Sequence, residues 1–239
     1  MKKRIGLLAM VFMMLASCDI LQHTLGTAID PNPSQAEMAG GLKEALTQGV
    51  LQGVTVLSAT NGFFNNSLYK IELPQEVKTA ESLMRTFGFG TQVDRAVKAL
   101  NEGAEMATAE ARQVFVDAIR NMTVQDARSI VTGGNGSATR YLIESTTQSL
   151  TERFRPIIET SLDQVEATRY WSDVMNAYNT VSREQINPDL VGYVTERALS
   201  ALFIEVETRE NQIRENIQFR TSDLLKKVFE FADRERQQQ

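Results

Sequence analysis

From Gln35 onward, nearly every segment of this 239-residue chain carries apolar residues three or four positions apart. That spacing lines them up on one face of an α-helix, whereas a half-buried strand would alternate. Leu42, Leu46, Val50, Val54 and Leu57 set the pattern. The longest periodic run, Gln92 to Met122, continues it through Val93, Val97, Leu100, Ala104, Ala107, Ala111, Val114 and Ala118. Leu142, Thr146, Leu150, Phe154, Ile157, Leu162 and Val165 follow, with Pro156 expected to kink or break that helix. Asn187-Pro188-Asp189 starts a long helix with Val191, Val194, Ala198, Leu202, Val206, Ile213 and Ile217 inward. Glu205–Arg209 and Glu210–Arg214 are spaced to pair across one turn on its wet side. Thr221 is expected to cap a last helix, with Leu224, Leu225, Val228 and Phe229 apolar. The period predicts an all-α fold, a single multi-helix domain over residues 35–232 with a polar, fraying tail over 233–239.

Glycines and breakers add detail. Gly40, Gly41, Gly49 and Gly53 lie inside the first helix, where each costs about 1 kcal/mol against alanine. Small residues there imply close approach by neighbours, so this helix is expected to be central, with Asn61-Gly62 ending it. Residues 62–74 are the one irregular apolar stretch. Tyr69, Ile71 and Leu73 alternate with Lys70 and Glu72, but a single strand without a partner is better read as an extended loop packed on helices. Pro74 opens a helix from Gln75 to Phe87, and Gly88 closes it. Thr123 and Asp126 have the spacing of a capping box. Tyr170, Trp171, Val174 and Tyr178 suggest a short aromatic helix.

The chain begins with a basic patch, Lys2-Lys3-Arg4, and an apolar run from Ile5 to Leu15. That run is shorter than the roughly 20 residues of a membrane span and has the build of an export signal. Leu15-Ala16-Ser17-Cys18 matches a lipoprotein box, an aliphatic residue and two small ones before the cysteine that receives lipid. Residues 1–17 are therefore read as a signal peptide, Cys18 as the lipidation site, and residues 18–34 as the lipidated tether. Two or three acyl chains anchor firmly, where one holds only marginally. The expected location is the cell envelope, lipid-anchored. Asp19 favours the inner membrane in some bacteria only, so the sequence leaves inner and outer membrane open.

Loss of residues 1–17 removes three basic residues and no acid, leaving 22 basic against 30 acidic and a net charge of −8. Such a chain has no general electrostatic attraction to nucleic acid or to anionic lipid surfaces. Cys18 is the one cysteine and His23 the one histidine. A Ser-His-Asp triad and a His/Cys zinc site are thereby disfavoured, and no cofactor or metal is expected. Two loops are candidate binding sites. Gly133-Gly134-Asn135-Gly136-Ser137 precedes a helix with Arg140 in its first turn, an arrangement able to hold an anion on exposed N–H groups. The simpler reading is a flexible helix–helix connection, since no strand precedes the loop and the Gly-Lys-Ser/Thr of a P-loop is missing. Phe63, Phe64 and Tyr69 are candidate apolar-loop contacts or pins of the loop to the core. Asp117 and Asp126 are a further candidate carboxylate pair, each also explained as a solvated face or a cap.

Several runs in order are similar to a known family. They are Phe63-Phe64-Asn65-Asn66, Ile71-Glu72-Leu73-Pro74, Phe115-Val116-Asp117-Ala118-Ile119, Met122 to Ala127, Gly133-Gly134 with Ala138-Thr139-Arg140-Tyr141, and Pro156-Ile157-Ile158 with Ser161-Leu162. The C-terminal runs Tyr193 to Leu199 and Arg220 to Phe229 are the most specific. Together they resemble the bacterial domain-of-unknown-function family numbered 4197, over about Gly41 to Phe229. The resemblance implies an exported, helix-rich, single-domain envelope protein and transfers no catalytic residue. Where such proteins often carry Asn-Pro after the phenylalanine run, this chain has Asn65-Asn66-Ser67. The function expected is a non-catalytic binding or scaffold module, with the membrane as partner through the anchor and an envelope protein or small ligand as a further one. An enzyme using carboxylate and arginine chemistry, or a carrier of an apolar ligand, is the alternative.

Overall fold

The first helix, α1 (Gln35–Leu57), starts at a full capping box: the Ser34 hydroxyl accepts from the Glu37 amide at 3.2 Å and the Glu37 carboxylate accepts from the Ser34 amide at 2.7 Å. The computed structural model describes residues 32–169, 171–172 and 189–238. Among them, seven more helices follow: α2 (Lys78–Thr86), α3 (Gly90–Ala109), α4 (Ala111–Asn121), α5 (Val124–Thr132), α6 (Ser137–Asp163), α7 (Leu190–Glu215) and α8 (Asp223–Gln237). Short 3-10 turns cover Gln75–Val77 and Ile217–Phe219. No strand occurs among the described residues, and no helix among them is long and apolar enough to cross a membrane. The signal, Cys18, His23 and the tether as far as Pro31 lie outside the described residues, as do Tyr170, Val174 and Tyr178 of the aromatic segment.

Helix α1 is central, packed against α7, α5, α8, α4 and α3. All five residues of its apolar stripe are buried. A side chain is excluded where α8 crosses it, since a Cβ on Gly41 would stand 2.8 Å from Val228 Cγ2. Helix α7 runs antiparallel to α1, with Val206 and Arg209 beside Gly49 and Leu202 and Glu205 beside Gly53. Helix α6 runs antiparallel to α7, because Glu210 sits at its start and Asp189 at Arg155 further along. Helix α3 lies antiparallel on α6, with Gly103 against Ile158 and Ser161. One core joins them. Phe115, Phe154 and Phe229 are at most 1% exposed, worth about 1.5–3 kcal/mol for each ring removed from water. The Phe115 and Phe203 rings meet edge to face at 5.9 Å.

Several elements differ from the sequence reading. The run Gln92–Met122 is two helices, α3 and α4, joined at Glu110. Its stripe is continuous across the joint because α4 packs on both α1 and α6 while α3 packs mainly on α6. Pro156 does not break α6. Helix α1 stops at Leu57, capped by Ser58, before Asn61-Gly62. Ile217 is 56% exposed, because α7 ends at Glu215 before the stripe reaches it. Ser222, not Thr221, caps α8, accepting from the Leu225 amide at 3.1 Å. Helix α8 also continues to Gln237, well into the segment expected to fray, since Asp233 is bound by Arg220 and by Arg236.

Candidate functional site

The glycine loop that invited an anion is held by an anion of the chain's own. Gly136 adopts a left-handed backbone (φ 72°) and turns the chain into α6. The two α6 amides behind it, Ala138 and Thr139, donate to the carboxylate of Glu210 at 3.0 and 2.8 Å, and the Thr139 hydroxyl adds a third bond at 2.8 Å. The Gly136 amide donates to Asn211, the Ser137 amide to the Gly134 carbonyl and the Arg140 amide to the Gly136 carbonyl. Asn135 donates to Glu215. Every amide from Gly136 to Arg140 is thus engaged within the fold, and the exposed Arg140 side chain stands on the outer face. Negative charge at a helix start is favourable, and Glu210 supplies it from within the fold.

Arg214, one turn after Glu210, completes this clamp. Its Nε donates to Glu210 at 2.7 Å, and its terminal nitrogens donate to the carbonyls of Ile130, Val131 and Gly133 at 2.9–3.2 Å. The pair expected on the wet face of α7 is therefore buried, with Glu210 6% and Arg214 1% exposed. Helical spacing placed the two residues together correctly. Which face of α7 they occupy was decided by α5 and α6, whose ends meet there and need both a donor and an acceptor. Arg220 extends the network to Asp233 and to the carbonyls of Ile213 and Arg214, and both guanidiniums stand against the Phe229 ring. Beside Glu210, next to Leu46 and Phe229, is a void of about 10 Å³, the space of a single water.

The second candidate, the loop from residue 61 to 73, is pinned by α3 and α7. Glu105 is buried and accepts from the amides of Asn61, Phe63 and Phe64. Asn101, fully buried, pairs with both backbone groups of Ile71 at 2.9 Å each, as a neighbouring strand would. One side-chain amide thus replaces the missing strand partner and explains how an alternating segment lies among helices. The Tyr193 hydroxyl donates to the Glu72 carbonyl. Phe63 is fully buried, Phe64 half-buried under the Lys70 ammonium, and Tyr69 buried. Burial, with the Glu205 carboxylate bonded to it, raises the Tyr69 hydroxyl above its ordinary range. These aromatics join the loop to the core.

Asp117 and Asp126 are engaged separately, the first with Gln113 and the second in the Thr123 capping box. Asp189 caps α7 and takes a two-pronged contact from Arg155 at 2.9 and 3.2 Å. Burial works to raise its carboxyl, but the bonds from Arg155 and from the Gly192 amide hold it below the ordinary range. Among the described residues no group of three or more His, Cys, Asp or Glu is placed to hold a metal ion.

One surface feature was not singled out by the sequence reading. Helices α2 and α3 form a tight hairpin. The Phe89 amide bonds the Met84 carbonyl at 2.8 Å and the Gly88 amide bonds the Arg85 carbonyl at 3.2 Å. Gly88 has φ 90°, so α2 ends in a Schellman turn. Phe89 is also the N-cap of α3 and provides no side-chain cap bond. Phe87 is 75% exposed, Phe89 49% and Met84 40%. The available signal was an aromatic on each side of a helix-ending glycine, where turns favour polar residues.

These features define an all-α domain built around one central helix, its helix ends tied by buried charged and amide side chains and two exposed phenylalanines flanking the glycine of one hairpin tip. The family described as "Protein of unknown function (DUF4197)" matches residues 32–230, and the chain belongs to it. No curated protein and no solved structure matches.

Proposed function

We propose that this chain is a lipid-anchored protein of the cell envelope whose helical domain works as a non-catalytic binding or scaffold module. The observation that carries the binding role is the α2–α3 hairpin. It presents two phenylalanines and a methionine to solvent at a turn whose local packing accounts for Met84 and Phe89 but not for Phe87. The carboxylates behind the two candidate loops, Glu210 and Glu105, support the same reading, because they are spent on helix-end and loop amides inside the fold. The anchoring role rests on the Leu15-Ala16-Ser17-Cys18 box. Labelling cells with radioactive palmitate tests it. The wild-type chain should take up label, and Cys18→Ser should take up none and persist as an uncleaved precursor. Equal labelling of the two chains refutes the anchor.

A further inference from the structure

The hairpin tip has a chemistry that narrows what it binds. It is convex, a chain reversal around Gly88 with Phe87 and Phe89 on either side. At about 200 Å² for a phenylalanine side chain, the two rings present roughly 250 Å². A stable protein–protein interface takes about 800 Å² from each partner, so the tip alone is too small to be the face of a dimer. Its nearest charges balance, because Lys78, 3.5 Å from Glu81, joins Arg85 as a second cation against two carboxylates. No carboxylate lies between Glu81 and Asp94, and Arg85 binds both, Glu81 at 3.0 Å and Asp94 at 2.8 Å. Insertion of Phe87 and Phe89 into an apolar medium carries no charged side chain with it, since residues 86–93 hold none. The Schellman turn itself asks for an apolar contact between Met84 and Phe89, but it asks nothing of Phe87, the most exposed residue of the tip.

We infer that the Phe87-Gly88-Phe89 tip is a membrane wedge, inserting both rings into the interface of a lipid bilayer. Lipid rather than protein is favoured by where the chain outside the structure ends. Fourteen positions separate Asn32 from Cys18, a reach of at most about 50 Å, so a bilayer lies within range of the domain. This step rests on the anchoring reading above. Asn32 lies at the start of α1 against Arg234. The hairpin lies at the opposite end, because α6 runs parallel to α1 and α3 returns along it. The tether and the wedge hold the domain at its two ends, lying along the membrane.

The test uses the full chain purified from envelopes and placed on phosphatidylethanolamine–phosphatidylglycerol vesicles containing brominated acyl chains. The variant Phe87→Trp adds an indole at the tip, read against the emission of the native buried Trp171. The added emission should shift to the blue and be lost to bromine quenching, and Phe87→Trp combined with Phe89→Asp should recover it. Vesicle-associated protein whose added emission is not quenched overturns the wedge. A blue shift without bromine quenching overturns it too. Such a shift in native envelopes points to a protein pocket, and one that grows with protein concentration without vesicles points to a second copy. Palmitate labelling with no quenching overturns the wedge alone, whereas quenching without labelling overturns the anchor alone.

Discussion

Glu210→Ala tests whether the buried clamp caps helices or merely pairs charges. The variant leaves the amides of Ala138 and Thr139 without an acceptor and the guanidinium of Arg214 without its counter-charge, all inside the core. Removing one member of a buried ion pair costs about 3–5 kcal/mol. In a domain of this size each kcal/mol lowers Tm by roughly 2–4 °C, so thermal unfolding followed by circular dichroism should show a fall of about 6–20 °C. The double variant Glu210→Leu with Arg214→Met separates the two explanations. Buried pairs elsewhere are often replaced by apolar residues at little cost. Here Glu210 serves two backbone amides and Arg214 three backbone carbonyls, of which only that of Ile130 keeps another donor, the Gly133 amide, so the double variant strands four helix-end groups and should be no more stable than Glu210→Ala. Recovery of wild-type Tm by the double variant would refute the capping argument.

Two further outcomes follow from contacts of α1. Gly41→Ala should destabilise the domain by about 1–3 kcal/mol through overpacking against Val228. Gly49→Ala, whose Cβ would find its nearest neighbour at 3.6 Å, should be neutral or stabilising by up to about 1 kcal/mol; denaturant unfolding that gives both variants the same sign counts against the packing described. Glu37 has its carboxyl lowered from 4.5 to about 2 by the Lys227 bond and by the Ser34 backbone and hydroxyl. A lowered folded-state value gives stability that is present above pH 4.5 and lost as pH falls towards 2. Glu37→Gln should therefore make the acid limb of a stability–pH curve shallower in that window. An unchanged limb would show that Glu37 does not act through the Lys227 and Ser34 contacts.

The residues alone were enough for the helical class, the central place of α1, the capping box at Thr123, the glycine stop after α2 and the extended run of residues 69–73. Each of these depends on neighbours within a few positions, through helical period, cap spacing or the backbone freedom of glycine. The tertiary structure alone decided which face of α7 is buried. Glu210 and Arg214 look like an exposed pair to any local rule, and only the meeting of the α5 and α6 ends makes their burial favourable. It likewise divided the Gln92–Met122 run into two helices at Glu110 while keeping its stripe buried, because α4 packs on both α1 and α6. Nothing local marked Asn101 as the partner of Ile71, thirty positions away. Phe87 and Phe89 carried a readable sign, aromatics around a turn glycine, but their exposure depends on what the rest of the chain leaves uncovered. Local geometry is written in adjacent residues, while burial is a property of the whole fold, and the helix-end charges and the hairpin tip were decided by burial.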